Sequence, residues 1–134
     1  MAVQRFNPEG VAEVPGVSLV AVGTGSRVVA IAGQVGRDPE GAFADGLSAQ
    51  FSRALSNLSI ALGAAGASMS DVLKATVYVV GWHEELTGEL LEGAAAFAEA
   101  GGVVDPSPTW TLVGVQALYD PRCLVEVEAL ALLD

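Results

Sequence analysis

Two hydrophobic rhythms run through the chain, and each predicts its own kind of element. Residues 17–23 (VSLVAVG) and 27–33 (RVVAIAG) are short, β-branched runs on either side of Thr24-Gly25-Ser26, which predicts two strands around a turn. The second run is almost wholly apolar, as a central strand requires. Further on, Phe51, Ala54, Leu55, Leu58, Ala61 and Leu62 recur at helical spacing and form one broad apolar face. They predict a helix over 47–65, with Asp45 near its start and Gly66 placed to stop it. Residues 74–80 (KATVYVV) predict a strand, and 84–100 a second helix that opens on acids at its positive end and closes at Gly101-Gly102. The last two strands are predicted at 110–117 and 123–133, joined by a turn through Tyr119-Asp120-Pro121-Arg122. Pro8, Gly10, Pro15 and Gly16 make 5–16 an irregular lead-in; 34–45 reads as a loop, 68–72 as a connector, and Pro106 and Pro108 mark another loop.

The predicted order is β-β-α-β-α-β-β, an α+β domain over residues 1–134 in which a mixed sheet carries two helices on one face. Two helices cover only one face of such a sheet. The other face holds apolar residues as well, so self-association is expected. At 51% hydrophobic and 16% charged, the chain has material for a core but a surface lean in charge, which points the same way.

Charge narrows the partners. The formal net charge is −10, and the six basic residues are scattered singly, so sequence neighbours build no basic patch. Nucleic acid needs clustered cations to neutralise phosphate, and an anionic membrane surface repels such a chain, so neither is expected as a partner. One cysteine, Cys123, leaves no intrachain disulfide, as in a reducing compartment. Met1 to Gly10 has no apolar stretch of signal-peptide length, and a cytoplasmic location is expected.

Several segments, in order and spacing, resemble the Rid (reactive intermediate deaminase, YjgF-like) family. They are Asn7-Pro8-Glu9-Gly10 with Pro15-Gly16, Ile31-Ala32-Gly33-Gln34 followed by Asp38-Pro39-Glu40-Gly41, Asp71-Val72-Leu73-Lys74 with Thr76-Val77-Tyr78-Val79, and Val113-Gly114-Val115 with Leu124-Val125-Glu126-Val127-Glu128-Ala129 in a final hairpin. The resemblance implies a fold like the trimeric bacterial chorismate mutase. It also implies homotrimers with clefts between subunits, a small-molecule metabolite in those clefts, and hydrolysis of 2-imino acids or enamines without metal or organic cofactor.

By that resemblance, Glu126 falls on the glutamate that positions water, and Gly33 and Gln34 on the segment that holds substrate. Period two places Leu124, Glu126 and Glu128 on one strand face and Val125, Val127 and Ala129 on the other, so Glu126 is expected on the side away from the helices. The arginine that grips the substrate carboxylate is replaced by Trp110, and the cysteine two residues later by Leu112. Losing a buried arginine–carboxylate pair costs about 2–5 kcal/mol of binding, so an uncharged or aromatic ligand fits this pocket better. Trp110 is equally well explained as packing between subunits. Ala32, Ser18 and Gly88 or Glu89 also depart from the family pattern. His83, the single histidine, reads as a solvated loop residue; no second histidine or cysteine group exists to build a zinc site, and Arg122 lies on a turn.

Two functions remain open. One is a trimeric imine or enamine hydrolase using water positioned by Glu126, with a substrate range altered by Trp110. The alternative is a non-catalytic trimer that binds a small metabolite or a partner protein in the cleft. A ribonuclease role, assigned to some relatives, conflicts with the charge.

Overall fold

The computed structural model describes residues 3–102 and 108–134. Pro106, expected in a loop, lies outside the described residues. Strands β1 (Val3–Phe6), β2 (Val20–Gly23) and β3 (Arg27–Val35) come first; helix α1 (Leu47–Ala64), β4 (Val72–Val80), helix α2 (Thr87–Glu99), β5 (Trp110–Val115) and β6 (Val125–Leu133) follow.

The α+β class and the helix-on-sheet layering are as expected, with β1 as an added strand. Arg5 and Phe6, expected in an irregular lead-in, belong to β1, which pairs antiparallel with β2 as a separate two-stranded ribbon. Its anchor is tertiary: Val3 is 1% exposed, and the Arg5 guanidinium donates to the carbonyls of Ser70 (3.0 Å) and Val72 at the head of β4. β2 does not pair with β3, although only a short turn separates them.

The main sheet has the order β3-β6-β4-β5. β5 runs parallel to β4, as a crossover through α2 requires, and β6 is antiparallel to both β3 and β4. The expected hairpin between the last two strands is therefore absent: β4 separates β5 from β6. The reason lies in β6 itself. Its residues 125, 127, 129, 131 and 133 are all buried, so the strand gains more from a central place with two neighbours than from a place at the edge.

Helix α1 buries Leu47, Gln50, Phe51, Ala54, Leu55, Leu58 and Leu62 against the sheet. It ends in a Schellman turn. Gly66 takes a φ of 79°, its N–H reaches the Gly63 carbonyl at 3.0 Å, and the Ala67 N–H reaches Leu62 at 2.9 Å. Residues 84–86 form a single 3-10 turn before α2, so the second helix starts three residues later than the acidic run suggests. Helix packing is close: a Cβ on Gly93 of α2 would sit 2.6 Å from the Ser48 carbonyl oxygen of α1.

Among the described residues the far side of the sheet carries no helix. Val28 is 71% exposed there and Leu130 45%. Among the described residues no helix is long and apolar enough to cross a membrane.

Candidate active site on the open sheet face

Glu126 lies on β6, the central strand between β3 and β4, with Val35 and Tyr78 as its cross-strand partners. The alternation in β6 runs buried, half-buried, buried, and puts Glu126 and Glu128 on the face away from the helices. Facing them, β3 breaks register between Ile31 and Gln34, so Ala32 and Gly33 form a bulge. That bulge makes room for the carboxylate. A Cβ on Gly33 would fall 1.8 Å from Oε1 of Glu126, so the carboxyl group rests directly over the glycine backbone. Gln34 folds back onto the same bulge, its side-chain amide donating to the Ala32 carbonyl at 3.0 Å.

The surroundings raise the proton affinity of Glu126. Partial burial pushes its carboxyl above the usual range, and the neighbouring Glu128 adds to the effect. Glu128 accepts a hydrogen bond from the Tyr78 hydroxyl. Beside them a cavity of about 490 Å³ is lined by Ala30, Ala32, Lys74, Thr76, Glu128 and Leu130. The Lys74 ammonium donates to the Thr111 hydroxyl on β5. Among the described residues no group of three His, Cys, Asp or Glu side chains is placed to hold a metal ion.

The structure brings Glu126, Gly33 and Gln34 together, and sets Trp110 and Leu112 apart from them within one chain. In the β4–β5 ladder Trp110 pairs with Ala75 and Leu112 with Val77, two residues turned toward the helices. Trp110 packs against the core, while Leu112, near the sheet edge, is 39% exposed. Both lie on the opposite face from Glu126, with β4 between the strands.

Other candidates are accounted for locally. Arg122 pairs with Asp120 at 2.7 Å, which pulls that carboxyl down to about 2, and its guanidinium stacks 4.7 Å from the centre of the Phe43 ring. Cys123 is buried, and burial pushes its thiol up, away from the reactive thiolate form. His83 is exposed ahead of the 3-10 turn.

Two residues that matter here were passed over in the sequence. Tyr78 carries the hydroxyl that engages Glu128; its signal was the polar alternation Lys74, Thr76, Tyr78 on β4. Gln50 is 3% exposed on the apolar stripe of α1. It accepts from the Leu124 N–H at 2.9 Å and donates to the carbonyls of Ala44 at 3.1 Å and Arg122 at 2.9 Å. It thereby ties the helix to both loops that lead into the site.

Gly33→Ala provides a local test. The atoms nearest the new methyl all belong to the Glu126 side chain, which must swing aside, at a cost of about 1–3 kcal/mol of stability. In the water-positioning role that the family resemblance implies for Glu126, activity is expected to drop by about 10-fold or more, because ångström displacements of a catalytic group are costly. Full activity in this variant would mean that the observed carboxylate position is not the working one.

A protein-family model described as Endoribonuclease L-PSP matches residues 14–133. The search of curated proteins gave no match. Among solved structures, a protein of unknown function from Yersinia pestis, YyfB of the conserved Rid family, is 32% identical with a TM-score of 0.85, covering 99% of this chain and 100% of that one. RidA from the Antarctic bacterium Psychrobacter sp. is 29% identical with a TM-score of 0.68, covering 97% and 99%. Rv2704 from Mycobacterium tuberculosis, a member of the YjgF/YER057c/UK114 family, is 29% identical with a TM-score of 0.63, covering 98% and 99%. With the family model spanning most of the chain and these folds aligned nearly end to end, the chain belongs to the endoribonuclease L-PSP family, the YjgF/Rid group.

Proposed function

We propose that this chain, acting as one domain over 1–134, is the subunit of a cytoplasmic homotrimer that hydrolyses a reactive imine or enamine to a carbonyl compound and ammonia. The observation that carries this reading is the Glu126 carboxyl, half-buried over the Gly33 backbone with a raised proton affinity. A carboxyl poised closer to neutrality than usual can both give and take a proton.

The chemistry needs no redox partner. Protonated Glu126 gives its proton to the imine nitrogen. Water bonds to the carbon as the C=N electron pair moves onto nitrogen, and the proton that water sheds returns to the Glu126 carboxylate. The carbinolamine nitrogen then takes that proton, the C–N bond breaks to release ammonia, and the hydroxyl proton goes back to Glu126 as C=O forms. An enamine enters by protonation at its carbon.

Trp110 and Leu112 join such a site only across a subunit boundary. Within one chain they face away from Glu126, so the helix-side edge of β5 in one copy would sit against the open face of its neighbour. The exposed Val28 and Leu130 support that covering. With tryptophan where an arginine would grip a carboxylate, the ligand is expected to be uncharged at that end. The word endoribonuclease in the family's description is not carried to this chain, because a net charge of −10 opposes phosphate binding.

The test is ammonia release from two freshly generated imines with neutral side chains, one bearing a carboxylate and one without. Acceleration over buffer is expected for both, with the compound lacking the carboxylate hydrolysed at least as fast. Equal rates with and without protein, for both compounds, would leave the non-catalytic binding reading in its place.

A further inference from the structure

Glu126 is one of two carboxylates on its strand face, and among the described residues a single hydroxyl donates to the pair. In the β4–β6 ladder Tyr78 lies opposite Glu126, and Thr76 lies opposite Glu128. The Tyr78 hydroxyl nonetheless bypasses its direct partner and donates diagonally to Oε1 of Glu128. Among the described residues no compensating cation reaches Glu126. From β3 the facing residues Ala30, Ala32 and Gly33 are uncharged. From β4 the one cation is Lys74, whose ammonium is engaged by Thr111 of β5. Cys123, just before β6, is a buried thiol, and among the described residues Glu126 forms no ion pair.

Two like charges on one half-buried face are costly, and the environment decides which group carries the charge. We propose that Tyr78 and Glu128 are positioning residues that divide the roles of the two carboxylates: Glu128 is engaged and held in place by the tyrosine hydroxyl, and Glu126, left without that bond, is the member that takes up and gives back the proton. This rests on the hydrolytic reading of Glu126 and extends it to the residues that set its protonation. The phenol of Tyr78 is itself pushed up, first by its bond to Glu128, so it stays a donor wherever carboxylates titrate. Glu126 in turn is raised by burial and then by Glu128.

The arrangement also fixes the sign of the pH dependence. Glu126 must be protonated to begin the reaction, so turnover is lost as pH rises through its midpoint. Neutralising Glu128 lowers that midpoint and moves the alkaline limb of kcat/KM to lower pH. A residue that only supports the fold would change the height of the profile and leave the limb in place.

The deciding experiment is a carbon-13 NMR titration of the Glu126 side-chain carboxyl in the intact protein, comparing wild type, Glu128→Gln and Tyr78→Phe. No substrate is required, so its outcome is independent of whether an imine is hydrolysed. The wild-type midpoint is expected above the ordinary glutamate range. Glu128→Gln is expected to lower it by about half a pH unit or more, and Tyr78→Phe to lower it by less. A Glu126 midpoint that is the same in all three proteins overturns the proposal even where imine turnover is measured. Absence of turnover in the wild type overturns the functional reading, while the titration still decides the pair.

Discussion

Glu126→Gln is expected to lower imine hydrolysis by about 10²–10⁴-fold, the usual contribution of a positioned acid–base group. The amide keeps the size of the side chain and its place over Gly33, but it cannot carry a proton back and forth. Folding should not suffer. The Glu126 carboxyl is raised above its ordinary value in the folded chain, so its charged form is disfavoured there. The stability it contributes is fully present below the unfolded midpoint and is lost as pH rises through the folded one. At neutral pH the uncharged amide therefore leaves the fold as stable as before or more so. Parallel measurement of turnover, thermal midpoint and oligomer mass separates the readings. Lost turnover with intact assembly marks a catalytic group. Intact turnover with weakened assembly marks a polar residue satisfied at an interface, and removes Glu126 from the mechanism.

Gln50→Met is expected to destabilise the fold by about 2–4 kcal/mol. The side chains are similar in length, so the change removes hydrogen bonds without opening a large cavity. Three backbone groups lose their partner: the Leu124 N–H and the carbonyls of Ala44 and Arg122. Each buried polar group left unsatisfied costs about 1–3 kcal/mol, and the total stays below the sum because loop carbonyls recover some water. For a chain of this size that is a drop of ~7–14 °C in Tm, at ~3.5 °C per kcal/mol. In denaturant the midpoint should fall with an unchanged slope. A loss below ~0.5 kcal/mol would mean that the two loops hold their positions without the glutamine. A functional effect should accompany the loss, since Leu124 stands two residues before Glu126 on the way into β6.

Much of this architecture can be read along the chain because its signals are local. The stripe from Phe51 to Leu62 needs only helical spacing, and Gly66 stops the helix by adopting a φ that other residues resist. The placement of Glu126 away from the helices follows from period two inside a single strand, which any stretch of alternating residues reveals. Gly33 is marked by the family resemblance alone; by pattern it only closes the expected strand 27–33, and the bulge appears in the ladder with β6.

The remaining features depend on partners distant in sequence. The position of β6 between β3 and β4 is a choice among pairings of similar local merit. It is settled by total burial, so the sequence alone supports a terminal hairpin that the fold does not form. Val3–Phe6 becomes a strand because Arg5 finds carbonyls 65 and 67 residues away. Counting places Trp110 and Glu126 in the right strands, but parity within a strand says nothing about facing across two strands, and only the ladder registers put them on opposite faces. The bond from Tyr78 to Glu128 is diagonal, a choice between two carboxylates that side-chain geometry makes and residue order does not. By itself the sequence determined the helices and the strand faces, because short-range periodicity encodes them, while Glu126 and Gly33 are marked as a site only by the family resemblance. The tertiary structure alone decided which strands are neighbours, which hydroxyl serves which carboxylate, and that Gln50 joins the loops, because each of these depends on contacts made only after the chain has closed on itself.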